Sequence, residues 1–127
     1  NMRQTFTDCS ALTTAINIPE SVIDMYMCFS SCPSLKNVAI PLTNLSTYDS
    51  ALYNDTAIED ITLVGLRSSS FNLSTLGGTI PETDIKELVN NHLATVESAT
   101  LTLGSIYLAY LTEEEIAGAV AKGWILE

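Results

Sequence analysis

The sequence predicts a single α/β domain in which short repeated units stack on one another. Apolar residues recur at a fixed 23-residue spacing through the first half of the chain. Within each unit the spacing changes from three residues to two, which indicates a turn or helical piece followed by a short strand. The second half contains two amphipathic helical patterns instead. A length of 127 residues fits one domain, and 46% hydrophobic residues supply a sizeable core.

The repeat is clearest in the stretch CFSSCPSLKNVAIP, which begins at Cys28 and has an earlier counterpart in TFTDCSALTTAINIP. Three sets of positions keep the 23-residue step, namely Phe6, Phe29 and Leu52; Cys9, Cys32 and Asp55; and Leu12, Leu35 and Ile58. This period lies in the range of roughly 20 to 29 residues that is typical of leucine-rich repeats. Units of this kind bury their apolar faces only by stacking on their neighbours.

A pair of aliphatic residues near the end of each unit predicts a strand. Val38 and Ile40 recur 23 residues later as Ile61 and Leu63. We expect the stacked strands to form one parallel sheet with these pairs pointing inward. Pro41 would end its strand at a position where a missing N–H costs little.

The period also predicts the boundaries of the units. One domain spans residues 1–127, with repeats at about 2–24, 25–47 and 48–70, followed by an irregular repeat and cap over 71–127. In the first unit, Ile16 and Ile18 take the places of the strand pair, shifted by one position. Asp55 stands where the earlier units have cysteine, so we expect this corner to be more open or differently hydrogen-bonded.

Beyond Leu66 the spacing lapses, and the run RSSSFNLSTLGGTIP predicts an irregular connection. The stretch ETDIKELVNNHL then predicts a helix with Thr83 as its N-cap. Its apolar residues fall at helical spacing, at Ile85, Leu88, Val89 and Leu93.

The last part of the chain predicts a further strand and a covering helix. In ATLTLG, Leu101 and Leu103 take the roles of Val38 and Ile40. A capping box from Thr112 to Glu115 begins a helix, and Lys122-Gly123 ends it. The apolar residues of this helix are Ile116, Ala119 and Val120. We expect the helix and Trp124 to cover the end of the stack.

The three cysteines, Cys9, Cys28 and Cys32, are too few for a disulfide framework. Cys28 and Cys32 are four positions apart, unlike the closer spacing of redox or zinc motifs, so we expect buried thiols. Cys9 and Cys32 occupy equivalent positions, and stacking would bring their Cα atoms within about 5 Å. A disulfide between them is therefore an open alternative, although side chains in such a ladder point the same way.

The sequence contains no pattern that predicts catalysis. His92 lies near the end of a predicted helix, where a cation is favoured, and no carboxylate or nucleophile pattern accompanies it. Glu113, Glu114 and Glu115 begin a helix, where negative charge is favourable, and no calcium-loop spacing is present. Gly77-Gly78 indicates a turn without a phosphate-binding motif. We expect no enzyme activity, no metal and no cofactor.

Charge and hydropathy exclude other classes of partner. Fifteen acidic residues against five basic ones give a net charge of −10, which would repel a phosphate backbone. No segment approaches the run of about 18 apolar residues that a membrane helix needs. We therefore expect neither nucleic-acid binding nor membrane insertion.

The stretch VIDMYMCFSSCPSLKNVAIP resembles the BspA-like leucine-rich repeats of bacterial surface proteins. The segment from DIKELVNNHL to KGWILE, with its Leu-Thr-Leu-Gly and Lys-Gly-Trp signatures, resembles the closing segment of such proteins from gut bacteria and their phages. The resemblance covers most of the chain and implies a right-handed solenoid with a binding or adhesion role and no chemistry of its own. It also implies a cell-surface or secreted location. The alternative is a structural or decorating part of a phage tail or another assembly.

The solvent side of the predicted strands is the candidate binding surface for a protein or glycan ligand. If Val38 and Ile40 point inward, the residues between them point outward. The same logic selects Asn17, Asn37, Ala39, Asp60, Thr62, Thr100 and Thr102. This surface lacks the Trp, Tyr and Arg side chains that anchor most protein interfaces, so an ordinary solvated sheet face is the alternative.

Overall fold

The computed structural model describes residues 1–14 and 17–127 and shows a small mixed α/β protein with parallel strands. The predicted position of Ile16 lies outside the described residues. The elements are β1 (Asn37–Pro41), β2 (Asp60–Val64), β3 (Phe71–Asn72), a 3-10 turn (Leu73–Thr75), α1 (Glu82–Asn91), β4 (Ala99–Thr102), α2 (Gly104–Leu108), α3 (Glu113–Ala121) and β5 (Trp124–Leu126).

The strands form two parallel sheets. β1 pairs with β2, and β4 lies between β3 and β5. The expectation of one continuous sheet is therefore wrong. On the far side of β2, the buried carboxylate of Asp84 accepts the N–H of Ile61 at 2.8 Å. A side chain thus takes a hydrogen bond that another strand would otherwise accept.

The first three units are joined by backbone hydrogen bonds that advance by 22 residues. The N–H of Phe6 donates to the carbonyl of Cys28 at 2.8 Å, and that of Phe29 donates to Ala51 at 3.0 Å. Non-glycine residues with positive φ recur in the same phase, at Gln4, Met27 and Ser50 and at Asp8, Ser31 and Asn54. The piece before each strand is therefore a series of turns rather than a helix.

The predicted inward residues of the second unit form the centre of the core. Phe29, Cys32 and Leu35 are fully buried, and so are Val38 and Ile40. The ring of Phe6 stacks on that of Phe29 with centroids 5.4 Å apart and planes 5° apart. The 23-residue spacing predicted that these side chains of the second unit point inward, and their burial confirms that prediction.

Contacts between units continue past Leu66, in the segment predicted to be an irregular connection. The rings of Tyr48 and Phe71 lie 4.5 Å apart, and the N–H of Leu52 donates to the carbonyl of Leu76 at 2.8 Å. The predicted turn glycines Gly77 and Gly78 both have positive φ, so this part of the prediction is confirmed.

Helix α1 begins after Pro81, which is its N-cap, and not at Thr83. The Thr83 prediction is wrong because the helix starts at Glu82, where the fixed φ of the preceding proline suits a helix entry. Ile85, Leu88, Val89 and Leu93 are buried as predicted, although Leu93 lies beyond the helix end.

The C-terminal part differs from the prediction in its packing. Leu101 and Leu103 are buried, but β4 pairs with β3 and β5, so they do not continue the row of Val38 and Ile40. The capping box of α3 is confirmed, whereas Val120 is 57% exposed and lies outside the expected apolar face. Trp124 is buried in β5, and its Nε1 donates to the carbonyl of Ala94 at 2.8 Å.

Arg67 links the segment between the two sheets to the second unit. It is 4% exposed, and its guanidinium lies 4.9 Å from the ring centroid of Phe71. The guanidinium donates to four backbone oxygens, those of Leu42, Leu45, Ser69 and Ser70. These bonds satisfy a buried cation and fix two loops against each other.

Within the described ranges, no helix combines the length and apolarity needed to cross a bilayer.

Replacing Arg67 with lysine is expected to lower the free energy of unfolding by at least about 2 kcal/mol, because an ammonium cannot reach four oxygens in this planar arrangement. Urea denaturation measures the loss. Arg3→Lys is the matched control, since the Arg3 side chain is 49% exposed in its contact with Asp24. An equal loss in both variants would contradict the role given to Arg67.

Phe29→Ala is expected to cost about 3 to 5 kcal/mol, because Phe29 is fully buried. Phe6→Ala removes the same atoms from the equivalent position in the first unit, where the ring is only partly buried. Its cost is expected to be about half as large, because less apolar area leaves water there. Denaturant titration of both variants checks the difference, and equal costs would show that the units are not stacked as described.

Candidate functional site

The seven predicted surface residues lie on two separate surfaces. Asn37, Ala39, Asp60 and Thr62 lie on β1 and β2, with Asn17 close to them. Thr100 and Thr102 lie on β4, in the other sheet. The division follows from the break after β2, so one ligand cannot be assumed to contact all seven residues.

The first surface is the face of β1 and β2. Asn37 pairs with Asp60, and Ala39 pairs with Thr62, so small and polar side chains form two short rows. Asn37, Asp60 and Thr62 are exposed as predicted, and Ala39 is half-buried. The face contains a depression of about 280 Å³, lined by Thr14, Asn17, Asn37, Ala39, Thr62 and Val64. The Thr62 hydroxyl donates to Asp60 Oδ2 at 3.3 Å.

The second surface is a cleft beside β4. It has a volume of about 280 Å³ and is lined by Tyr48, Ser70, Phe71, Asn72, Thr100, Thr102 and Glu127. Thr100 and Thr102 are half-buried there rather than exposed. Sequence reasoning missed Tyr48, Ser70, Asn72 and Glu127. The available signal was the 23-residue step from Tyr48 to Phe71, which places these rings in contact.

Asp55 forms a buried acidic corner inside the repeat. Its Oδ1 accepts the N–H of Cys32 at 2.8 Å, which confirms the expectation of a different hydrogen bond in the third unit. The side chain is 1% exposed, so the corner is not more open. Among the described residues, the buried Oδ2 has no hydrogen-bond partner. Burial raises the pKa of Asp55 to about 6, although the Cys32 N–H opposes the shift.

The three cysteines are free thiols, so the alternative of a Cys9–Cys32 disulfide is not what the structure contains. Burial raises the pKa of Cys28 to about 12 and also raises that of Cys32. The Cys32 thiol donates to the carbonyl of Phe6 at 3.0 Å. Thiols held protonated in this way are poor nucleophiles and poor metal ligands.

His92 ends helix α1, as its position in the sequence predicts. Its Nδ1 lies 2.8 Å from the carbonyl oxygen of Gly65, and its Nε2 lies 3.4 Å from Glu87 Oε1. These contacts position the ring between the helix and the end of β2. Across residues 1–14 and 17–127, no group of three or more His, Cys, Asp or Glu side chains could hold a metal ion.

No protein-family model matches the chain, and neither a curated protein nor a solved structure matches it significantly. The function must therefore be inferred from the residues and geometry of this chain.

Asp55 is expected to make folding less favourable as the pH rises. Its folded pKa of about 6 exceeds the unfolded value of 3.8, so its stabilising effect is complete below the unfolded value and is lost as the pH rises through about 6. The difference corresponds to a free energy of unfolding on the order of 3 kcal/mol. Urea denaturation at several pH values between 4 and 8 measures this slope.

Asp55→Asn is the comparison variant, because the amide oxygen keeps the acceptor for Cys32 and cannot ionise. The carboxyl of Asp84, whose pKa burial also raises, is present in both proteins and cancels. The unfolding free energy of the variant should therefore fall less steeply with pH. Identical pH profiles would show that Asp55 does not titrate in this range.

Proposed function

We propose that the chain is a short, right-handed leucine-rich-repeat solenoid of the BspA-like type with a C-terminal cap. The constant step of the hydrogen bonds between units supports this proposal. Met2, Phe6, Met25 and Phe29 each donate to a carbonyl 22 positions ahead. The stacked rings of Phe6 and Phe29 add the periodic core that such a solenoid needs.

We propose that this solenoid is a noncatalytic binding or adhesion module, at a cell surface or secreted. The observation that carries the proposal is the face of β1 and β2, where two strands in exact register align polar side chains beside a depression. A rigid sheet of this kind holds its outward groups at fixed spacings, which suits recognition of a repeating or extended ligand.

The character of the face indicates the strength of binding to expect. Asn37, Asp60 and Thr62 offer hydrogen-bond donors and acceptors, and Ala39 leaves room between them. Among the residues that the structure describes, no aromatic or arginine side chain lines the depression. Since such side chains supply most hot-spot energy in protein interfaces, we expect affinity to come from several weak contacts repeated along a ligand.

A binding screen tests the proposal. The whole chain is applied to a panel of glycans and host extracellular-matrix proteins, beside a variant with Asn37, Asp60 and Thr62 all changed to lysine. We expect the variant to lose binding, because long cationic side chains would fill the depression and reverse its charge. The formal charge changes by +4 in this variant.

A control variant with Glu97 and Glu114 changed to lysine makes the same change in charge at exposed positions away from the face. Retained binding in the control, together with loss in the face variant, supports recognition by β1 and β2. Equal loss in both would show that charge alone governs binding. No binding by the unmodified chain would favour a spacer or an assembly component.

A further inference from the structure

The cleft beside β4 differs from the face of β1 and β2 in the chemistry that it presents. Hydroxyl groups reach it from three segments of the chain, at Tyr48, at Ser70 and at the two threonines of β4. Asn72 adds an amide, and Glu127 adds a carboxylate. At about 280 Å³ the cleft is close to the lower end of small-ligand sites, which span roughly 300 to 1,000 Å³.

The internal hydrogen bonds of the cleft orient its polar groups and leave donors available. The Tyr48 hydroxyl accepts the N–H of Asn72 at 2.9 Å, and the Ser70 hydroxyl accepts the N–H of Thr100 at 3.0 Å. Each hydroxyl also carries a hydrogen that it can donate. Within the described part of the chain, neither hydrogen is donated to a protein acceptor, so both can serve a ligand.

The acceptor group of the cleft, the Glu127 carboxylate, is held in the same way. The Thr102 hydroxyl donates to Glu127 Oε1 at 3.0 Å, which fixes the carboxylate at the rim. A carboxylate has two oxygens and about four acceptor positions, so it can take further hydrogen bonds. The cleft therefore combines fixed donors with a fixed acceptor among its lining residues.

Two aromatic rings line the cleft, those of Tyr48 and Phe71. Phe71 is 2% exposed, and it packs between the ring of Tyr48 and the guanidinium of Arg67. Tyr48 is half-buried, so the cleft presents apolar surface beside its hydroxyl groups. A small ligand with several hydroxyl groups and some apolar surface suits this lining.

We infer that this cleft binds one sugar residue of an uncharged glycan, with Tyr48 and Ser70 donating to sugar oxygens and Glu127 accepting from a sugar hydroxyl. The net charge of −10 and the carboxylate at the rim disfavour acidic sugars. This inference rests on the proposed binding role of the domain. It does not depend on the face of β1 and β2, which lies on the other sheet.

The test is a titration of the ¹⁵N-labelled whole chain with methyl glycosides of glucose, galactose, mannose and N-acetylglucosamine, followed by NMR. We expect at least one of them to shift the amide signals of Asn72, Thr100 and Thr102 at millimolar concentration. The methyl glycoside of N-acetylneuraminic acid should bind more weakly. Equal or tighter binding of this acidic sugar would overturn the assignment to uncharged glycans.

Two variants locate the site. Thr102→Val removes the hydroxyl that fixes Glu127, and Glu127→Gln keeps an acceptor oxygen but removes the charge. Each is expected to weaken binding by about fivefold or more, as is typical when a hydrogen bond to a charged group is lost. The matched control is Thr43→Val, which removes the exposed contact of the Thr43 hydroxyl with Glu20 Oε2 at 3.3 Å, outside the lining of both surfaces, and should leave binding unchanged.

The outcomes separate this inference from the proposed function. Signals that shift at Asn37 and Thr62 but not at β4 would overturn the assignment of the sugar to this cleft and support the other face. No shift with any uncharged glycoside would overturn the inference, while the screen with the lysine variant tests the β1–β2 face independently. The amide spectrum of each variant shows whether it is folded.

Discussion

Hydrogen bonds between successive units determine how the rest of this molecule is arranged. Of the six non-glycine residues with positive φ in the described ranges, five donate their own N–H to the following unit, namely Gln4, Asp8, Met27, Ser31 and Ser50. A left-handed conformation costs a residue with a side chain of order 1 kcal/mol or more, and it persists where the surroundings require it. Here the conformation turns the N–H toward the neighbouring unit. The local strain and the contact between units are therefore parts of one arrangement.

Two aspartates mark the places where this arrangement changes. Asp55 accepts the N–H of Cys32, and Asp84 accepts the N–H of Ile61. Each aspartate lies 23 positions after its donor in the sequence. In both cases a carboxylate oxygen takes a backbone donor of the preceding unit. Burial raises the pKa of both carboxyl groups, because it disfavours their ionised forms. A carboxylate that replaces a backbone carbonyl as acceptor is therefore costly to ionise, whereas a carbonyl carries no charge. Asp84 lies in the first turn of helix α1, so a helix rather than a further strand accepts this hydrogen bond from β2.

The sequence predicted the periodic core correctly because burial follows the 23-residue step directly. Phe29, Cys32, Leu35, Val38 and Ile40 were all placed inside from spacing alone, and all are buried. The continuation past Leu66 was missed because the hydrogen bonds there advance by 24 or 25 positions instead of 22, from Leu52 to Leu76 and from Ser50 to Thr75. A search for one fixed spacing does not detect an insertion of two or three residues.

The candidate surfaces were predictable to different degrees for a related reason. The face of β1 and β2 comes from one strand pair in the expected register, so alternation along each strand was enough to find Asn37, Asp60 and Thr62. The cleft beside β4 is assembled from residues far apart in the sequence, including Tyr48, Ser70 and Glu127. Its position depends on β4 pairing with β3, in a register where Phe71 lies opposite Leu101, 30 residues later. No regular spacing in the sequence predicts that pairing.

The break between the sheets also gives the two surfaces different chemistry. On β2 the Thr62–Asp60 contact is formed within one strand, so the hydroxyl and the carboxylate lie side by side on an open face. Beside β4 the Thr102–Glu127 contact joins residues 25 positions apart and lines the cleft together with groups from other segments. The cleft therefore offers hydrogen-bonding groups from several segments to one small ligand, whereas the face of β1 and β2 offers rows of groups along two strands to an extended ligand.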